Sequence, residues 1–336
     1  MPTRAFNQIQ ATVETTNGTD SGAVPDALLG NLSVTPTVGL HQPTDTRKSL
    51  ALLHRDTVVA NGMTARFSGD ANYEQIITWI SMVMNRGDIA QQGSTTAYDF
   101  VYDPAINATR TFHSLTLEYG DDQQAFKSLF VCASSLELTY TMGSPVQLSV
   151  DMFGHPPQKQ AFTGSPTEFT NPNLILSDGM KFYINDAWTD TPTEYASMLV
   201  GASIRIESGL TPVRYAEGLD SNDEIPFSAV VQNKRSHLMS LDFITTSDWE
   251  EKVYDTWLDR SNRVIVLDVT SAADAGLNEA YNFRVKMNGR FTGMGEFYGD
   301  HNGLNMVRAE FTSMDNLAAT PRDLDIRVQN AETGYQ

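Results

Sequence analysis

The residue types that most often do chemistry in proteins are scattered through this sequence. The single cysteine, Cys132, lies in the apolar run from Leu129 to Ala133, which predicts a buried, inert thiol and not a nucleophile. One cysteine also excludes an internal disulfide and a cysteine-based zinc site. The histidines stand singly, without the close spacing of a metal-binding pair, at His41, His54, His113, His155, His237 and His301.

Two loops have residue types that could bind an ion or orient a base. The stretch from Asp220 to Glu224 begins like a calcium loop, but Ile225 stands where the turn glycine belongs and Val231 where the bidentate acid belongs. The stretch from Gly299 to Gly303 contains an aspartate and a histidine, yet its asparagine–glycine pair favours a turn. With no phosphate loop, dinucleotide fingerprint or nucleophile elbow, we expect no enzyme and no cofactor.

The charge balance sets a limit on partners. Aspartate and glutamate number 41 against 23 lysines and arginines, which gives a formal net charge of -18. Such a chain repels phosphates, so we expect no tight nucleic-acid binding. The longest apolar runs are far below the ~18 residues that span a bilayer, and no apolar signal region follows the N-terminus. We therefore expect a protein made in the cytoplasm that does not enter a membrane.

Short alternating runs of apolar and polar residues predict a mainly β fold. The clearest strands begin at Leu115, Leu136 and Val146, and later ones at Ala202, Phe283 and Val307. Only two segments have helical spacing. One follows Asp70, with Asp70 or Asn72 as its cap, and the other follows a capping box at Ser247. We expect each helix to cover one face of a sheet.

The positions of the two predicted helices reveal a repeated order of strands and helices in the two halves of the chain. Each helix follows one strand and precedes another, and each half then ends in a strand pair. This order favours an ancient duplication, with a proline- and glycine-rich join between the halves. The predicted domains are an N-terminal arm at 1–30, a first domain at 31–153, a linker at 154–172, a second domain at 173–315 and a C-terminal tail at 316–336.

Several short stretches, taken in order, resemble the tail tube (major tail) proteins of long-tailed bacteriophages. They are Ala11 to Thr19, Leu32 to Pro36, Phe67 to Glu74, Leu115 to Asp121, Val150 to Gly154 and Gly209 to Pro212. The likeness covers most of the chain, and its two-half layout is similar to that of tail tube proteins with duplicated tube domains. The resemblance implies β-sandwich or barrel-forming tube domains, each with one covering helix, in a ring of three chains with pseudo-sixfold symmetry.

The resemblance also implies a function and partners. The chain would polymerise with itself into stacked rings in the virion tail, meet the tape measure, terminator and distal tail proteins, and let double-stranded DNA pass without specific binding. In the first half, one strand face suits a packed core, and the opposite face suits a wetted lumen. The lumen candidates are Glu137, Thr139, Gln147, Ser149 and Asp151.

Two features leave alternatives open. In the second half Arg284, Lys286 and Arg308 stand beside Glu310, so either carboxylates neutralise them or that face points outward. The long polar connections at 41–62 and 211–236 are expected to join neighbouring rings, with Arg47, Lys48 and Arg55 as partners for acids.

Rival functions belong to two other classes. One is another β-rich virion component, such as a tail terminator or a capsid decoration protein. The other is a carbohydrate-binding or hydrolytic module, suggested by Trp188, Trp249, Trp257 and the many acids. Because the helical spacing places Trp249 and Trp257 on a core face, this last class is disfavoured.

Overall fold

A computed structural model describes most of the chain, and the described part is mainly β with large antiparallel sheets, as the sequence predicts. The described residues are 7–42, 56–103, 106, 111–121, 123–169, 172–188, 194–195, 198–215, 226–276, 279–297, 299–301, 303–315 and 322–334.

The first half of the chain contains ten strands and one helix. The strands are β1 Gln8–Val13, β2 Asp26–Ala27, β3 Asn31–His41, β4 Thr57–Asp70, β5 Asp88–Gln91, β6 Tyr98–Tyr102, β7 Leu115–Gly120, β8 Ala125–Thr141, β9 Gln147–Gly154 and β10 Gln158–Lys159. Helix α1, Ile76–Val83, connects β4 with β5. The alternation of side chains along β8 and β9 is that of strands with one buried face.

The second half contains ten more strands and a composite helix. The strands are β11 Met180–Asn185, β12 Leu199–Glu207, β13 Leu210–Val213, β14 Ala229–Gln232, β15 His237–Ile244, β16 Arg263–Gly276, β17 Glu279–Met294, β18 Gly299–His301, β19 Leu304–Ser313 and β20 Leu324–Asn330. Helix α2 comprises an α-helical turn at Ser247–Trp249, a π-helical turn at Glu250–Tyr254 and a last α-helical turn at Asp255–Asp259. A short 3-10 turn, Ser177–Gly179, precedes β11.

Eight strands form one continuous antiparallel layer, which we call the long sheet. Its order is β3-β4-β9-β8-β12-β15-β19-β17. The two longest strands leave this layer at their N-terminal ends. There β8 pairs with β7 and β10, and β17 pairs with β16 and β20. Both halves therefore have a second layer that packs behind the long sheet.

One face of the long sheet is buried against these second layers and the two helices. The sequence predicts this face in the first half, and the structure confirms its burial at Leu136, Leu138, Tyr140, Val146, Leu148 and Val150. The second half buries the same face, at Met239, Leu241, Phe243, Val307, Ala309 and Phe311. One core cluster contains residues of both halves, so the halves share their hydrophobic packing.

The helices lie where the sequence predicts them, but their caps differ in detail. Asn72, not Asp70, stabilises the turn that leads into the first helix, because its Oδ1 accepts a hydrogen bond from the Gln75 backbone N–H at 2.7 Å; Gln75 itself is the N-cap and has no side-chain capping bond. The second helix is capped by Thr246, whose hydroxyl accepts from the Trp249 N–H, and not by Ser247. A capping side chain accepts from the backbone N–H two or three residues further along the chain. The sequence is therefore compatible with either of two neighbouring polar residues as the cap of each helix.

The chain ends differ from the arms that the sequence predicts. Within the predicted N-terminal arm, β1 pairs with β7 along all six of its residues. Within the predicted tail, β20 lies between β17 and β6. These strands have apolar side chains in the shared core, which a composition-based search for arms cannot recognise because the pairing partners are more than 30 residues away in sequence.

The packing of α1 against the long sheet generates a stability prediction. Trp79 is fully buried and its ring stacks on Phe67, with centroids 4.6 Å apart. Replacing Trp79 with alanine should therefore cost ~3–5 kcal/mol of unfolding free energy, because a large cavity replaces dense packing. The half-buried Trp257 is the control, and Trp257→Ala should cost less. Denaturant unfolding measures both, and an unchanged midpoint for Trp79→Ala would contradict this packing.

The second prediction concerns pH. Burial, with a smaller contribution from Glu332, raises the pKa of Asp26 in β2 to about 6. The folded state then binds this proton more tightly than the unfolded state, so the charged carboxylate destabilises the fold above about pH 6. Asp26→Asn should raise the unfolding free energy at pH 7.5. Its advantage should shrink as pH falls through 6 and vanish near pH 4, and a gap that stays constant with pH would rule out this origin.

Candidate assembly surface

The two halves meet in a backbone ladder between β8 and β12. Seven directly opposed pairs run from Gly201 and Thr141 to Glu207 and Ser135. Beyond the last pair, the Ser208 N–H donates to the Ser134 carbonyl at 2.9 Å. The Ser203 hydroxyl adds a hydrogen bond to Glu137 at 3.1 Å. This joint, which we call the internal joint, makes one sheet out of two halves.

The four strands on each side of the internal joint follow the same order. Strands β3-β4-β9-β8 of the first half correspond to β12-β15-β19-β17 of the second. In each half, one row of directly opposite residues crosses all four strands. The rows are Leu32, Phe67, Val150 and Leu136 in the first half, and Ala202, Leu241, Ala309 and Met294 in the second.

An irregularity occurs at the same place in both halves. The register between β8 and β9 shifts between Ala133 and Ser135, and the register between β17 and β19 shifts between Phe291 and Gly293. Bulges bend and re-aim a strand, so they are features of a particular architecture. Counting from the two rows, Ser135 of the first half corresponds to Gly293 of the second.

The long sheet ends in two edges that have no partner strand among the described residues. On one side, β3 pairs only with β4. On the other side, the last residues of β17, from Arg290 to Met294, pair only with β19, because the ladder to β16 stops at Gly289. An open edge presents unpaired N–H and C=O groups and is a template for another strand. These edges correspond to the β12 and β8 strands of the internal joint.

The five residues that the sequence selects as lumen candidates share the face of the long sheet opposite to the core. Glu137 and Thr139 lie on β8, and Gln147, Ser149 and Asp151 lie on β9. All five side chains are half-buried or exposed, between buried neighbours. The structure thus brings them together on one polar face. That this face lines a lumen stays a prediction.

The polar face carries more acids than bases in the described part of the long sheet. Three of its arginines have an acidic partner, Arg66 with Asp151 at 3.6 Å, Arg205 with Glu207 at 3.5 Å, and Arg308 with Asp242 at 2.7 Å, whereas Arg290 contacts the Met314 sulfur. The acids that remain outside these ion pairs are Asp70, Glu137 and Glu310. This face therefore has negative charge in excess.

The basic residues of the second half divide between two surfaces. Arg308 is on the polar face, where both oxygens of Asp242 accept from its guanidinium. Arg284 and Lys286 are instead on the part of β17 that pairs with β16 and β20 in the second layer. There Lys286 lies over the Trp188 ring, 4.6 Å from its centroid. Arg308 thus has a carboxylate partner within the chain, and Arg284 and Lys286 do not share its face; which of these residues point outward in an assembled ring stays a prediction.

Glu118 and Glu14 are buried carboxylates outside the polar face. Burial opposes ionisation of Glu118, but hydrogen bonds from Thr163 and Lys127 outweigh it and lower the pKa of Glu118. Glu14 accepts from the Phe130 N–H at 2.9 Å and from the Thr116 hydroxyl at 3.1 Å. Such carboxylates hold the segments that donate to them in place.

The remaining candidates from the sequence are either buried in the core or outside the described residues. Cys132 is fully buried in a small apolar cluster with Phe130, Leu210 and Phe227. Arg47, Lys48 and Arg55, the predicted inter-ring residues, lie outside the described residues, as does the loop from Asp220 to Glu224. The described histidines, cysteine and acids contain no group of three that could hold a metal ion. No described helix has the length and apolar character needed to cross a bilayer.

Sequence reasoning missed the open edges of β3 and β17. An edge is a consequence of which strands pair, and neighbouring residues carry little signal for it. The one available signal was the matched order of elements in the two halves. No protein-family model matches this chain, and no match was found among curated proteins.

The charged pairs generate a stability prediction with an internal control. Lys127 and Glu118 are joined at 2.9 Å with side chains only 7% and 4% exposed, whereas the Arg308 side chain is 62% exposed. Lys127→Met should cost ~3–5 kcal/mol, because it leaves a buried carboxylate without its charge partner. Arg308→Ala should cost less than ~1 kcal/mol, since solvent screens that pair. Equal losses in denaturant unfolding would refute this ranking.

Proposed function

We propose that this protein is a structural virion protein whose copies join edge to edge into rings, and that the rings stack into the tail tube of a long-tailed bacteriophage. The tube is a conduit for double-stranded DNA during ejection into the host. The observation that carries the proposal is the internal joint, where two four-stranded halves of the same order already form one continuous sheet. The sequence resemblance to tail tube proteins points the same way.

The internal joint supplies a template for the contact between copies. It pairs the last strand of one half, β8, with the first strand of the other half, β12. The free β17 edge corresponds to β8, and the free β3 edge corresponds to β12. A β17 edge that pairs with β3 of the next copy repeats the same geometry. Such a head-to-tail contact forms a ring when the rotation closes.

The size of the sheet agrees with a ring of three copies. Three eight-stranded sheets give 24 strands, and at ~4.8 Å per strand the wall measures about 115 Å around, before the strands tilt. Barrels of 16–18 strands already leave an aqueous channel. A wall built from both halves is also favoured over six copies with one half outside, because the long sheet includes both halves equally.

The charge of the polar face suits a DNA conduit. If the buried face packs outward against the helices, the polar face lines the lumen. Its unpaired acids, Asp70, Glu137 and Glu310, repel phosphates over roughly a Debye length, ~10 Å at 0.1 M salt. Arg66, Arg205 and Arg308 are held by acids on the same face, and Arg290 lies against Met314. DNA would therefore slide through without a strong binding site.

The rival functions have less support. A carbohydrate-binding surface needs exposed aromatic side chains, but of the tryptophans that suggested one, Trp249 on α2 is buried and the Trp188 ring is covered by Lys286. A tail terminator would form a ring that does not stack, and a decoration protein would bind a capsid. The proposed role includes contacts with the tape measure, terminator and distal tail proteins.

A designed disulfide tests the contact between copies. In the internal joint Glu207 lies opposite Ser135, and the corresponding residues at the free edges are Thr37 and Gly293. In assembled protein, Thr37→Cys with Gly293→Cys should form a covalent ladder that ends at three chains. The native Cys132 is fully buried and should not compete.

The control moves one cysteine by a single residue, as Thr37→Cys with Met294→Cys. A one-residue shift places the side chain on the other face of the sheet, so this pair should cross-link poorly. Tubes that form without a cross-link at the first pair would contradict the edge contact. Rings that never stack would favour a terminator, and persistent monomers at high concentration would refute assembly altogether.

A further inference from the structure

Both halves have a hairpin that extends from the first two strands of the long sheet. In the first half, β3 and β4 continue past the sheet, with Leu40 opposite Val58 and His41 opposite Thr57. In the second half, the hairpin of β13 and β14 has Leu210 opposite Gln232 and Thr211 opposite Val231. Counted from the two residue rows, Leu40 and Leu210 occupy the same position, and so do Val58 and Gln232.

The two hairpins differ in direction. Gly209 has a φ of +70°, and there the chain turns so that β13 and β14 leave the line of the long sheet. The corresponding Gly39 is not in the left-handed region, and β3 runs on through it to His41. A φ near +70° is accessible to glycine at little cost. The first hairpin thus has a glycine at the position where the second one bends.

The bend of the second hairpin buries its apolar side chains. Leu210 is 7% exposed in the cluster with Phe130, Cys132 and Phe227, and Val230 packs against the same cluster. The straight first hairpin leaves Leu40 47% exposed and Val58 40% exposed. Adjacent apolar side chains on one strand pair are a surface that a partner usually covers.

The surface that the second hairpin covers has an uncovered counterpart. Counted from the same rows, Cys132, Phe153 and His155 of the first half correspond to Arg290, Thr312 and Met314 of the second. These three lie beside the free β17 edge and are half-buried, with the Arg290 Nε 2.7 Å from the Met314 sulfur. The hairpin residue that corresponds to Val230 is the exposed Asp56. If the first hairpin docked as the second one does, Asp56 would therefore face Arg290.

We propose that in the assembled ring the first hairpin bends at Gly39 and docks onto Arg290, Thr312 and Met314 of the next copy. This proposal rests on the edge contact of the proposed function and adds a second interface to it. Leu40 and Val58 pack against Met314 and the aliphatic part of Arg290, and Asp56 pairs with the guanidinium. Each copy thereby covers the surface that its neighbour leaves open, as the second hairpin does within the chain.

A charge exchange tests the docking site. Asp56→Arg alone and Arg290→Asp alone should each abolish tube formation, because like charges then face each other across the interface. The double variant should restore tubes in negative-stain images. Asp88→Arg, at an exposed acid on β5, is the matched control and should assemble normally. Normal tubes from both single variants, or failure of the double variant to recover, would overturn the docking.

Substitutions at Gly39 test the bend. Asparagine tolerates the left-handed region and valine does not, so Gly39→Asn should assemble better than Gly39→Val. Circular dichroism and denaturant unfolding establish that both variants are folded. Equal assembly by the two variants would exclude a bend at this residue.

The cysteine pair at Thr37 and Gly293 separates the two proposals. If this pair cross-links in the wild-type background while the charge exchange has no effect, the hairpin docking is wrong and the edge contact stands. If this pair never cross-links, the edge contact is wrong, and the hairpin docking that rests on it is wrong as well.

Discussion

The structure depends on the requirement that the backbone groups at a sheet edge find partners. The ladder between β8 and β12 meets this requirement inside the chain and joins two halves of the same strand order. The long sheet then ends in two edges of the same kind, at β3 and β17, which lie on its opposite sides and are not paired with each other. A protein with complementary edges at opposite ends of one sheet is suited to join its own copies.

The two faces of the long sheet have separate roles. The buried face contains aliphatic and aromatic side chains of both halves in one core, so the halves cannot rotate freely about the internal joint. The polar face carries short hydroxyl and amide side chains, paired arginines and an excess of acids. Elsewhere, Glu14 and Glu118 are buried carboxylates that accept several hydrogen bonds from fixed donors.

Much of the fold follows from local sequence patterns. The two-residue alternation from Leu136 to Val150 predicts both the strands and their buried face, because successive side chains point to opposite faces. The apolar spacing after Asp70 and after Ser247 predicts both helices. Strands β1 and β20 were not predicted, since their short apolar runs can be recognised as strands only from their pairing with strands far along the chain. The five polar-face residues of the first half were predicted from the sequence, but Arg284 and Lys286 were wrongly grouped with Arg308, and the edges beside this face depend on long-range pairing.

The duplicated order of strands makes the number of chains in a ring the most informative quantity. With a chain mass of 37.1 kDa, native mass spectrometry of single rings detached from the tubes distinguishes the possible assemblies. The account predicts a mass of three chains, because both halves contribute strands to the wall. A mass of six chains would contradict it, since six copies of an eight-stranded sheet would leave one half outside the wall.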